Sequence, residues 1–206
     1  AVLSPKTLQG EVRVTGLADS KELHGKFILT SENCLRMEHS ILANSQPVQT
    51  AVLICQRTVR GGTICRIGQQ PVPLSSRAPS VLTTQLCRQG LFRGGWLDAL
   101  TRANGADDRA DTREILMGFF EPPEIRHLQM TRTAEAIRFD YELGTTSTLG
   151  GAGGTVKLWV DPKTLLPIRR VIHSKNRSGE DLTVSERYSE WQVDQAVPTS
   201  VFQLKK

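Results

Sequence analysis

The segment Ile137-Arg138-Phe139-Asp140-Tyr141-Glu142-Leu143 alternates apolar and polar side chains without a break. A period of two places every second side chain on one face of an extended chain, so this segment predicts a half-buried β-strand. The pattern recurs at Val12-Arg13-Val14-Thr15, from Lys26 to Thr30 and from Leu35 to Ile41. Ala18-Asp19-Ser20-Lys21 and Ser31-Glu32-Asn33 separate these three as turns, which predicts a meander. A fourth strand over Thr50-Ala51-Val52-Leu53-Ile54-Cys55 is returned by a loop at Val59-Arg60-Gly61 as Thr63-Ile64-Cys65-Arg66-Ile67.

Between 79 and 119 the period changes. Pro79 suits a first helical turn and Gly90 a stop, while Phe92, Trp96, Leu97 and Leu100 recur near the helical spacing. Thr112 to Phe119 reads as one more short helix, ended by Pro122-Pro123. After the proline pair strands resume from 124 to 192, with Val156 to Val160, a turn at Asp161-Pro162-Lys163-Thr164, a strand from Ile168, and another from Leu182 to Trp191. Strands 9–68, a helical insertion 79–119 and strands 124–192 therefore form one domain over 1–206, since no low-complexity linker divides them. The class is α+β. A large antiparallel sheet with few helices must close into a barrel or wrap around those helices, because its apolar face needs cover.

Composition narrows the function. The 206 residues, 38% of them hydrophobic, are enough to bury a core, and no apolar run approaches the roughly 20 residues of a membrane-spanning helix. Aromatics at 5% and 4 His argue against a base-stacking platform or a multi-histidine metal cluster. The net charge of +5 favours acidic partners, yet the arginines are scattered in pairs such as Arg169-Arg170 and form no basic stripe along the chain. That pattern reads as a solvated basic surface, and nucleic acid is not an expected partner.

Motifs for chemistry are absent. Gly150 to Gly154 precedes a strand, whereas a dinucleotide cradle must open a helix, so it reads as a hairpin loop. His24, His39, His127 and His173 lack metal-ligand spacing, no Gly-x-Ser-x-Gly elbow occurs, and neither Cys34 nor Cys87 sits in a nucleophile motif. Glu121 and Glu124 read as solvated charges. No enzyme, no cofactor and no metal is expected.

The alternating positions are more informative. Val12, Val14, Phe27, Leu29, Leu35, Met37, Ile137, Phe139, Tyr141, Val156, Leu158, Leu182, Val184 and Tyr188 would share one face of the sheet. Each is first of all a core residue. Together they are the candidate lining of an apolar ligand cavity, with Phe92, Trp96 and Leu97 on the inserted helix as its cover. Cys55 and Cys65 face each other if the hairpin loop centres on Arg60, and would then be within reach of a disulfide. A one-residue shift of register separates them, leaving two small buried apolar side chains instead.

Three stretches carry a family resemblance. Leu23 to Glu38 resembles the glycine, strand, turn and second strand of the LolA/LolB-type lipoprotein-carrier superfamily, which includes RseB-like sensors. Val156-Lys157-Leu158-Trp159-Val160-Asp161-Pro162-Lys163-Thr164-Leu165-Leu166-Pro167-Ile168 is similar to that family's hairpin, and the tail from Tyr188-Ser189-Glu190-Trp191 through Val197-Pro198-Thr199-Ser200-Val201-Phe202 to its ending. The resemblance implies an unclosed β-barrel wrapped on helices, with an apolar cavity for acyl chains. It also implies a monomeric periplasmic or cell-envelope carrier of lipid or lipoprotein acyl chains, in peripheral contact with the membrane at most. An envelope sensor that binds a protein partner is the alternative within the same fold. Two positions depart from the family. Ser31 stands where the carriers commonly have an arginine that holds the lid closed, so that mechanism does not transfer, and Val59-Arg60-Gly61-Gly62 replaces the usual hairpin. Ala1-Val2-Leu3-Ser4-Pro5 does not read as a signal peptide, and the family's long first helix is expected to be missing or removed before Ala1.

Overall fold

The computed structural model describes residues 5–16, 22–30, 34–43, 46–57, 63–67, 70–74, 124–144, 153–175 and 179–203. They form one antiparallel sheet of eleven strands. In chain order these are β1 (Thr7–Thr15), β2 (Glu22–Thr30), β3 (Leu35–Ala43), β4 (Gln46–Arg57), β5 (Thr63–Ile67), β6 (Gln70–Leu74), β7 (Ile125–Arg132), β8 (Ile137–Leu143), β9 (Gly154–Val160), β10 (Pro167–Lys175) and β11 (Asp181–Val193). The spatial order β6-β5-β4-β3-β2-β1-β11-β10-β9-β8-β7 contains two meanders, each strand pairing with its chain neighbour. Pairing of β1 with β11 joins the meanders into one sheet. Among the described residues the order ends at β6 on one side and β7 on the other, so this eleven-stranded sheet is unclosed.

The expected meander and large antiparallel sheet are present. The helical insertion 79–119, with Phe92, Trp96 and Leu97, lies outside the described residues, as do Cys87 and Ser31. Among the described residues the only helical piece is a 3-10 turn, Thr199–Phe202. Two hydrogen bonds tie this turn to the outer side of the sheet. Arg36 Nη1 donates to the Val201 carbonyl at 2.6 Å, and Gln56 Nε2 to the Phe202 carbonyl at 2.9 Å.

One expectation is corrected. The first block of strands does not end at 68, because Gln70–Leu74 forms β6 against β5. Pro71 and Pro73 are unfavourable in a central strand, since proline cannot donate to a sheet ladder. At a sheet edge only one side needs donors, and β6 is an edge strand.

The strand ends are placed by turns whose chemistry is local. Asp161 Oδ1 accepts from the backbone N–H of Lys163 at 2.8 Å and of Thr164 at 2.7 Å, which folds the β9–β10 turn. Those backbone donors hold the Asp161 carboxyl below its ordinary range, the Thr164 N–H contributing most. Gly16 has φ +82°, and a Cβ there would lie 2.0 Å from the Thr183 carbonyl oxygen. Only glycine fits that crossing of β1 and β11.

Candidate functional site

The pairing register decides which side chains share a face. Leu29, Phe27 and Leu23 of β2 oppose Leu8, Gly10 and Val14 of β1, while Val12 opposes Tyr188 and Val14 opposes Glu186 of β11. On β3, Leu35 and Met37 oppose Leu29 and Phe27, and they in turn oppose Cys55 and Leu53 of β4. On the other side, Val184 opposes Ile172 of β10, Ile172 opposes Val156 of β9, and Val156 opposes Tyr141 of β8. All fourteen sheet positions named from the sequence thus lie on one face. Leu53 and Cys55 extend it across β4, and Leu143, Val160 and Ile172 across β8 to β10.

Burial of that face is graded. Val14, Leu23, Leu35, Met37 and Leu53 are 0% exposed, and Val12, Phe27 and Leu29 no more than 2%. Across β8 to β10 the apolar side chains are less sealed, and Phe139 and Leu182 are only partly buried. At β7 the face opens. A bulge at His127 (φ 52°) leaves Leu128 beside Tyr141, and Met130 opposes Phe139. Leu128 and Met130 are 60% and 64% exposed.

A cleft of about 610 Å³ lies at the end of strands β8 to β11, lined among others by Glu142, Leu143, Gly154, His173, Lys175 and Leu182. Of its apolar side chains, Leu143 and Leu182, Leu143 is also part of the cluster formed with Tyr141, Val156, Leu158, Val160 and Ile172. The volume is within the range of small-molecule sites.

Polar groups also occupy the inner face, and the sequence reading missed them. Arg170 of β10 opposes Glu186 of β11, both fully buried. Arg170 Nη1 lies 3.0 Å from Glu186 Oε2 and donates to the Tyr188 hydroxyl at 3.1 Å, and that hydroxyl donates to Glu186 Oε2 at 2.5 Å. Burial pushes the Tyr188 phenol well above its ordinary value, against the pull of Arg170. It stays neutral and can donate. The available signal was a single charged residue at an apolar alternation position on each strand, between Ile168 and Ile172 and between Val184 and Tyr188.

Trp191 was also missed as an inward residue. Gly10 faces both Glu190 and Trp191 across a bulge, with Glu190 at φ 52°, so Tyr188 and Trp191 come to the same side. Trp191 packs edge-on against Phe27 with ring centroids 5.3 Å apart and stacks on Tyr188 at 5.8 Å. Its Nε1 donates to the Pro167 carbonyl at 2.9 Å. His39, on the same face of β3, is 3% exposed, and burial pushes its imidazole down to about 4.

Cys55 and Cys65 oppose each other on β4 and β5, with Cα atoms 4.1 Å apart, and are joined by a disulfide. Cys34 carries a free thiol. Among the described residues no three His, Cys, Asp or Glu side chains come together as a metal site, and no helix is long and apolar enough to cross a membrane.

No protein-family model matches the chain, and no curated protein does. Solved structures of similar chains include the MucA/MucB complex of Pseudomonas aeruginosa, at 11% identity and a TM-score of 0.36, covering 97% of this chain and 56% of that one. LprF from Mycobacterium bovis is similar at 13% identity and a TM-score of 0.33, over 93% of this chain and 88% of LprF. A Vibrio parahaemolyticus domain assigned to outer membrane lipoprotein sorting is similar at 10% identity and a TM-score of 0.35, over 95% and 88% of the two chains. The chain spans about half the length of the MucB chains it aligns with, 54% and 56%. At these identities no residue roles pass from those proteins to this one.

Proposed function

We propose that this chain holds an apolar ligand, the acyl chains of a lipid or lipoprotein, against the inner face of its sheet, as a carrier of the periplasm or cell envelope. One observation carries the reading: the apolar face is sealed from β1 to β4 and becomes accessible from Phe139 to Met130, on a half of the sheet whose strand ends at Leu143 and Leu182 line a cleft of about 610 Å³. A face built only for folding has no need of exposed Leu128 and Met130 at its rim. Binding is by burial and not by chemistry. Each methylene removed from water contributes about 0.8 kcal/mol, so a single acyl chain supplies useful affinity against the cost of immobilisation. The Cys55–Cys65 disulfide supports an oxidising compartment. The resemblance to the carrier superfamily agrees with this reading.

A second reading rests on β7. It is an edge strand, and edge strands with exposed apolar side chains pair with other chains. A sensor or interaction module would use it to bind an envelope protein. Solvent extraction of the purified protein followed by mass spectrometry decides between them. A co-purified lipid is the result expected of a carrier, whereas a lipid-free protein that takes up no fluorescent fatty acid refutes it.

A further inference from the structure

The arginines that look scattered along the chain are gathered by the sheet. Arg13 of β1 opposes Arg187 of β11, Arg187 opposes Arg169 of β10, Arg169 opposes Trp159 of β9, and Trp159 opposes Arg138 of β8. These five residues form one cross-strand row on the outer face. At about 4.8 Å per strand the row is about 19 Å long.

Like charges directly opposite one another destabilise a sheet, and this row contains two such oppositions, Arg13 with Arg187 and Arg187 with Arg169. Only its ends are neutralised. Arg13 pairs with Glu22 at 2.5 Å and Arg138 with Asp140 at 2.7 Å. Arg169 and Arg187 are exposed and make no ion pair among the described residues; nor does Lys157, two residues from Trp159 on the same face, which opposes Asp140, the carboxylate that Arg138 engages. The Arg169 guanidinium lies 5.2 Å from the Trp159 ring centroid, which holds it extended over the indole. The adjoining β9–β10 turn presents exposed Lys163 and Leu165, the latter 42% exposed. The carboxylate of that turn, Asp161, is engaged by its own backbone amides.

We propose that this row, with the β9–β10 turn, is a docking surface for the anionic headgroups of a lipid membrane. The unneutralised cations match lipid phosphates. An acidic peptide would meet the same cations, but exposed Leu165 of the turn and the amphipathic Trp159 of the row suit the boundary between headgroups and acyl chains. The surface lies on the side of the sheet opposite the apolar face, and its existence does not depend on what that face binds.

The test is co-sedimentation of the full chain with vesicles of phosphatidylcholine, with and without phosphatidylglycerol. Binding is expected only to the anionic vesicles and is expected to weaken as salt is raised. Arg169→Gln with Arg187→Gln should weaken it at least tenfold, at about fivefold per cation removed. Arg66→Gln with Arg132→Gln removes the same charge outside the row, at exposed positions of β5 and β7, and should leave most of the binding intact. Thermal melts of both double variants confirm the fold. No binding to anionic vesicles overturns the proposal, and so does equal weakening by the two double variants. Binding of polyglutamate without binding of anionic vesicles also overturns it, in favour of an acidic protein partner.

Discussion

Arg170 and Glu186 are fully buried among Val14, Leu158 and Ile172, where neither charge would be tolerated without the other. Removing one partner leaves an uncompensated buried charge, which costs about 3–5 kcal/mol, while replacing both with apolar residues of similar size is close to neutral. Arg170→Met and Glu186→Leu alone should therefore each lower the urea midpoint sharply, and the double variant should recover most of the loss. Additive losses would show that the two do not act as a pair. His39 titrates in the same interior. Its folded value of about 4 lies below its ordinary 6.5, so the unfolded chain takes up the proton first. Stability attached to this residue is complete above about pH 6.5 and is lost as pH falls toward 4, by about 3 kcal/mol in all. His39→Gln should flatten that part of the pH profile. A profile identical to that of the parent chain would exclude His39 as its source.

The β4–β5 hairpin is the element whose register carries the most covalent consequence. Cys55 meets Cys65 only because Leu53 meets Ile67, and a slip of one residue would put the thiols on opposite faces. Denatured without reductant, the chain should expose two reactive thiols, Cys34 and Cys87, out of four cysteines. Four would refute the bond. Closing a loop of this size stabilises by about 2–3 kcal/mol, so reduction should lower the melting temperature measurably. The β9–β10 hairpin is held differently, by one carboxylate. Asp161 is held below its ordinary range, so its contribution is present above the unfolded value near pH 4 and is lost as pH falls through the folded one.

Across the whole molecule, sealed and open parts of one apolar face should respond differently to substitution. Leu35→Ala, in the sealed half, should cost about 2–5 kcal/mol, because a cavity there cannot collapse freely. Met130→Asp and Leu128→Asp, at the open rim, should change stability by about 0.5 kcal/mol or less. The rim variants should nonetheless weaken uptake of a fluorescent fatty acid, since a charge would be placed where the ligand enters. Unchanged uptake would detach the rim from the binding function. The two halves of the sheet are joined through β1 and β11, so this division of labour runs between the meanders, with the junction at Val12, Val14 and Tyr188.

The alternation by itself determined the inner face. A strand has a period of two whatever it pairs with, so Ile137 to Leu143 or Val12 to Val14 could be assigned a side without any partner. The Asp-Pro-Lys-Thr turn was legible for the same reason, its hydrogen bonds being local. What depended on partners was not legible. The sequence cannot show that β6 is an edge strand, and only there are Pro71 and Pro73 admissible. Nor does it show that Arg170 faces Glu186 sixteen residues away, or that a bulge at Glu190 turns Trp191 inward. The outer row is the clearest case. Arg13, Arg138, Arg169 and Arg187 are far apart in the chain, and only the register of five antiparallel strands, set by burying the opposite face, brings them to neighbouring positions.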